Sequence, residues 1–121
     1  RPGKQSQFAV LQDMKPNEED GFADLIRWLK ENVMRPIRVN EMAEFMCMSE
    51  RSFQRRFSES FSISPSRFYE RMRMEHARDF ILPRYPVELA AKMMGYSSVA
   101  AFRTNFKKQF GLSPSTSKQV R

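Results

Sequence analysis

Cysteine occurs once in this chain, at Cys47, and histidine once, at His76. A single thiol excludes a disulfide framework and a cysteine-built zinc cluster, and it fits a reducing, cytoplasmic compartment. A lone histidine leaves no His/Cys metal set and no histidine pair for acid–base work. His76 falls on an apolar helical arc, so packing is the preferred reading over catalysis. Only four glycines are present and none form a phosphate-cradling loop; no nucleophile motif occurs either. No cofactor or metal is expected, and an enzyme is the first class set aside. No apolar run approaches the roughly 20 residues of a membrane span. No secretory signal pattern and no strand-type alternation appear.

The chain does have phenylalanine and positive charge. Eleven Phe and a hydrophobic content of 40% allow a real core in 121 residues, with nine Met as flexible gap-fillers. The net charge of +7 favours a polyanionic partner or an anionic membrane surface. That charge is unevenly placed. Residues 17–32 hold five acids against two bases, whereas residues 33–121 hold 16 bases against 8 acids. Residues 1–18 read as a tail or linker remnant and residues 19–121 as the domain.

The basic part contains one pattern twice. Ser49, Phe53, Phe57, Phe61 and Ile63-Ser64-Pro65-Ser66 recur 49 positions later as Ser98, Phe102, Phe106, Phe110 and Leu112-Ser113-Pro114-Ser115. Upstream, Val39, Met42, Ala43 and Met46 recur 48 positions later as Val87, Ala90, Ala91 and Met94. The change of offset places one extra residue in the second turn.

Periodicity predicts an all-α domain of about seven helices. Phe22, Leu25, Ile26, Leu29 and Val33 form one helical face, preceded by Glu18-Glu19-Asp20 and closed by Pro36. Each repeat then reads as a short helix, a turn and a second helix capped by Ser49 or by Ser97 or Ser98, which is a helix-turn-helix. Between the units, a linker helix over residues 66–82 is apolar on two arcs, one of Phe68, Met72, His76 and Phe80, the other of Met74, Ala77 and Ile81. Its 17 residues span about 25 Å at 1.5 Å per residue. The first unit is taken as 19–65 and the second as 83–121. Gly111 is a natural helix stop, and Ser113-Pro114 begins a last short helix.

The Phe stripe decides which residues face out. With Phe53 at zero and about 100° per residue, Arg51 and Arg55 lie at about 160° and 200°, with Gln54 beside them. Arginine can bond guanine O6 and N7, and glutamine adenine. Such residues in the first half of a helix suit a major groove. The matching positions of the second unit are Ala100, Arg103 and Thr104, which are poorer in hydrogen-bonding groups. Lys107 and Lys108 suit phosphates better than bases. Asn40, Ser49, Arg56 and Ser98 are also expected at phosphates. The first unit is therefore expected to discriminate more sharply than the second. Double-stranded DNA is the expected partner. A basic adaptor without sequence preference is the rival, separable by competition between duplexes at fixed salt.

The segment 37–114 resembles the DNA-binding domain of AraC/XylS-type transcription regulators. It carries A-x3-CMS-x3-F-x3-F-x3-F, then Ser-Pro, then Arg73-Met74-x2-Ala77, then A-x3-GYSS and F-x3-FKKQFGLSP. Gly21-Phe22, Ile26-Arg27-Trp28-Leu29 and Phe102-Arg103 resemble a subgroup with an N-terminal class-I glutamine-amidotransferase-like domain. The resemblance implies a bacterial, nucleoid-associated regulator binding asymmetric sites near promoters. It implies base contacts from Arg51, Gln54, Arg55, Ala100, Arg103 and Thr104. RNA polymerase is implied as a further partner, with an effector ligand acting through a separate N-terminal domain; the fragment itself is expected to be monomeric. Departures are Cys47 where the family often has glycine, Ser62 in place of the Gly111 equivalent, Ser117 in place of an aromatic, and Thr104 in place of a frequent arginine. Cys47 is expected to be a buried, inert thiol in a strained turn.

Overall fold

The computed structural model describes residues 21–115, and all regular elements among them are helices. Six α-helices follow in order: α1 (Ala23–Glu31), α2 (Val39–Phe45), α3 (Glu50–Phe61), α4 (Pro65–His76), α5 (Val87–Met93) and α6 (Val99–Phe110). A π-helical segment, Ala77–Ile81, continues α4. Pro114 and Ser115 are helical, but the rest of the expected last helix, including Ser117, lies outside the described residues, as does the expected tail.

Two compact units share these helices. The first takes the described residues up to Asn32 together with Ile37–Tyr69. In it Phe22, Leu25, Ile26 and Leu29 bury the face of α1 that their spacing predicts. The Phe22 ring packs against Phe57 and Phe61 of α3 at centroid distances of 5.2 and 5.6 Å, and Phe68 closes on Phe57 at 5.4 Å. Tilted and edge-on rings at this separation are the favoured aromatic arrangement. Helix α1 stops at Glu31, well before Pro36. The Asn32 side-chain amide donates to the Trp28 carbonyl at 2.8 Å, and the Tyr69 hydroxyl donates to the Asn32 carbonyl at 2.7 Å. Terminal carbonyls satisfied in this way let the helix end without a proline.

The α2–α3 turn passes through Cys47 at φ 59°, in the left-handed region. The thiol is exposed, against the expectation of burial. A left-handed residue at the corner of this turn carries its side chain away from the packed faces of the two helices, so no apolar neighbour covers it. Ser62, likewise left-handed at φ 61°, ends α3 where Gly111 at φ 77° ends α6.

The second unit takes Val33–Pro36 and the described residues from Glu70 on. Its core joins Met74, Ala77, Ile81 and Leu82 to Val87, Ala90, Ala91 and Met94 and to Phe102 and Phe106. Two charged side chains are buried with it, Arg73 and Glu75. Arg73 Nε donates to the Val33 carbonyl at 3.0 Å, and its Nη2 donates to the Met94 carbonyl. The guanidinium also lies over the Tyr96 ring, 5.4 Å from its centroid. Glu75 accepts from Arg71 Nε at 3.1 Å and faces Arg78 Nη2 at 3.6 Å. Both arginines cover the half-buried Phe110 ring, at 4.8 and 4.3 Å.

The expected linker arc of Phe68, Met72, His76 and Phe80 breaks at its end. Phe68 and Met72 are buried, but Phe80 is 55% exposed. The cause is the π-helical segment, in which the Leu82 amide reaches back five residues to the Ala77 carbonyl at 2.8 Å. A wider turn ends the four-residue register on which the arc depends. Pro83, which has no N–H to donate, follows directly.

Candidate nucleic-acid interface

Each unit places a helix with a buried aromatic edge and a polar outer face after a tight turn. In the first, Phe53 and Phe57 are fully buried. Burial of that edge turns Arg51, Gln54, Arg55 and Arg56 outward, and all four are exposed. The Ser49 hydroxyl accepts from the Ser52 amide at 3.1 Å and so caps α3. Its O–H remains a donor for an incoming oxygen. Asn40 is exposed in the first turn of α2, beside the Arg38 amide that donates to Glu41 Oε2 at 3.2 Å. The Arg55 guanidinium stands 3.7 Å from Glu59 of the same helix.

The second unit repeats the construction with other side chains. Phe102 and Phe106 are fully buried, and the Ser98 hydroxyl accepts from the Ala101 amide at 3.1 Å. Ser98, rather than Ser97, is thus the cap. Ala100, Arg103, Thr104, Lys107 and Lys108 are all exposed. The turn uses Gly95 at φ 84°, where an added Cβ would stand 3.1 Å from Pro36 Cδ. Behind it the Asn105 amide donates to the Tyr96 hydroxyl at 3.0 Å, and Tyr96 packs edge-on against Phe102 at 5.4 Å.

Within the first unit the surface gathers Arg51, Gln54 and Arg55 on α3, with Arg56 on the same helix. Within the second, Ala100, Arg103 and Thr104 lie on α6, with Lys107 and Lys108 in its last turn. Arg103 also has a partner that helix periodicity does not reveal. Its Nη2 lies 3.7 Å from Oε2 of Glu88, a residue of α5. The repeat carried a signal for this position, because Glu88 stands where the first unit has Asn40. Among the described residues no group of three His, Cys, Asp or Glu could hold a metal ion, and no helix is long and apolar enough to cross a membrane.

Comparison with known proteins matches these features. A family model described as a helix-turn-helix domain matches residues 42–119. The HTH-type transcriptional regulator GbdR of Pseudomonas aeruginosa is 25% identical over 115 residues, covering 93% of this chain and 31% of that protein. The chain spans about a third of the length of such curated relatives. Among solved structures, the C-terminal domain of AraT, a response regulator from Geobacillus stearothermophilus, is similar at 26% identity with a TM-score of 0.72, over 78% of this chain and 80% of that one. The DNA-binding domain of the global transcriptional factor AdpA, solved in complex with a target DNA, is 26% identical with a TM-score of 0.72, over 82% of this chain and 90% of that one.

Proposed function

The chain belongs to the helix-turn-helix domain family and is of AraC type, being 30% identical to a probable AraC family transcriptional regulator from Rhodopseudomonas palustris over 78% of this chain and 90% of that one, and from that premise we propose that it is a sequence-specific DNA-binding transcription regulator that inserts α3 and α6 into successive major grooves. The observation that carries this reading is the repeated helix with a buried Phe edge, a serine cap and an exposed, arginine-bearing opposite face. The AdpA domain, similar in fold and solved on a target DNA, supports it.

In this reading Arg51, Gln54 and Arg55 approach base edges from the first unit, and Ala100, Arg103 and Thr104 from the second. The first set offers three long donors and reads by hydrogen bonds. The second offers one, so it relies on apolar fit and backbone charge. Asn40, Ser49, Arg56, Ser98, Lys107 and Lys108 hold phosphates and set the register. RNA polymerase is the further partner, and an effector acts through an N-terminal domain. The residues Gly21-Phe22, Ile26-Arg27-Trp28-Leu29 and Phe102-Arg103 favour an amidotransferase-like identity for that domain.

Selection of sites from a random duplex library tests the proposal, followed by competition at fixed salt. A recovered motif with two half-sites, bound at least 10³-fold tighter than bulk duplex, is the expected result. Equal binding of all duplexes would instead identify a basic module without sequence preference.

A further inference from the structure

The repeat allows residues at equal places in the two units to be compared. The offset of 48 that pairs Val39 with Val87 pairs Asn40 with Glu88. The offset of 49 that pairs Phe53 with Phe102 pairs Gln54 with Arg103 and Glu59 with Lys108. So at these paired places the first unit has an acid, Glu59, on the reading helix and an amide, Asn40, on the helix before it. The second has Lys108 and Glu88 there; α6 has no acid at all, whereas α3 also carries Glu50 and α2 also carries Glu41 and Glu44. In both units a reading arginine ends 3.7 Å from one carboxylate, Arg55 from Glu59 and Arg103 from Glu88.

These two acids act differently. Glu59 lies one turn along the same helix as Arg55, an ordinary helical pair. Glu88 reaches Arg103 from a different helix. Its place is equivalent to that of Asn40, which is assigned to a phosphate. A carboxylate there repels phosphate and lowers affinity for any duplex. It also restrains the only arginine on α6, whose neighbours Ala100, Ala101 and Thr104 are too short to do so. Unrestrained, a guanidinium on this rim can swing to a phosphate, a contact that carries no sequence information.

Resting on the DNA-reading proposal above, we infer that Glu88 is a specificity-determining positioning residue. It holds Arg103 toward the base edges and weakens sequence-independent binding by the second unit. The pair is solvent-exposed, with Arg103 and Glu88 side chains 46% and 70% accessible, so the effect is modest.

The test compares the wild type, Glu88→Gln and Glu88→Asp, each also combined with Arg103→Ala. Binding is measured to the selected site, to single base-pair variants of it and to a scrambled duplex, over a salt series. Glu88→Gln is expected to bind the scrambled duplex tighter, with a salt slope steeper by about one phosphate contact. Preference at the base pair that Arg103→Ala makes indifferent falls about two- to five-fold, the size of an exposed ion pair. Glu88→Asp retains most of that preference. In the Arg103→Ala background, Glu88→Gln leaves base preference unchanged. Full preference in Glu88→Gln, or an equal loss with and without Arg103, overturns the inference while the wild type still discriminates. A wild type that ranks no duplex above another overturns the DNA-reading proposal, and this inference with it.

Discussion

Arg55 illustrates what a side chain's place on a helix permits. Buried Phe53 and Phe57 turn it outward, and Glu59 holds it loosely. Arg55→Ala is expected to cost about 1–3 kcal/mol of binding and relax preference at one base pair, measured across single-substitution duplexes. An unchanged ranking of sites would mean that α3 is turned otherwise on DNA. This outward set was legible in the sequence because a stripe at four-residue spacing leaves only one outer face. Glu88 was not legible as the partner of Arg103, because the pair joins two helices across a turn whose path periodicity does not encode. His76 is half-buried beside Phe80, at a ring separation of 5.2 Å. Burial pushes its pKa below the ordinary histidine value, and Asp79 offsets part of that. The unfolded chain therefore takes up the proton first as pH falls. Stability is expected to decline as pH drops through the ordinary histidine range, from about 7 toward 5. Denaturant melts of His76→Gln over that range should give a flatter stability profile than those of the wild type.

The two helix-turn-helix corners differ in one residue that sets their strain. Cys47 holds a left-handed conformation that costs an L-residue about 1–2 kcal/mol, set against the entropy cost of a glycine of about 0.5–1. Cys47→Gly is therefore expected to raise stability by about 0.5–1 kcal/mol. Gly95→Ala is expected to lower it by more than 1 kcal/mol, since it adds a Cβ 3.1 Å from Pro36 Cδ to an unfavourable φ of 84°. Thermal melts of the two variants should move in opposite directions. The strain at Cys47 was foreseen from its alignment with Gly95; its exposure was not, since a type preference for burial says nothing about which way a corner points. On α3, Phe57→Ala is expected to cost about 3–5 kcal/mol, because Phe22, Phe61 and Phe68 cannot all close on the space left. Against a typical total of about 5–15 kcal/mol, an unchanged melting temperature would refute that burial. The linker arc departs from its expected burial at Phe80, which lies past α4 in the π-helical segment, where the 3.6-residue period no longer holds.

For the molecule as a unit in solution, charge is the main long-range property. The net charge of +7 is concentrated after residue 32, where α3 and α6 lie, the latter with Lys107 and Lys108. Lys107 is exposed in the last turn of α6, with no base-reading geometry assigned to it. Lys107→Ala should weaken binding to all duplexes alike and reduce the slope of log affinity against log salt by about one, as read from titrations of specific and scrambled duplexes. A change confined to one site would place Lys107 at a base.

Much of this protein follows from the order of its residues alone. The helical class, the duplicated unit, the Ser49 cap, the α1 apolar face and the outward position of Arg51, Gln54, Arg55 and Arg103 all depend on spacing, and spacing is written in the chain, whereas the choice of Ser98 over Ser97 as the second cap came from the folded chain. Other features needed the folded chain because they join residues far apart in sequence. Arg73 is buried because the carbonyls of Val33 and Met94 meet it from opposite directions along the chain. Glu75 pairs with Arg71 and Arg78 one turn to either side, but it is buried because both arginines lie over Phe110, far along the chain. Glu88 reaches Arg103 because the α5–α6 turn carries it there. A charged residue reads as surface until packing supplies partners that offset its loss of water, and only the three-dimensional arrangement supplies them.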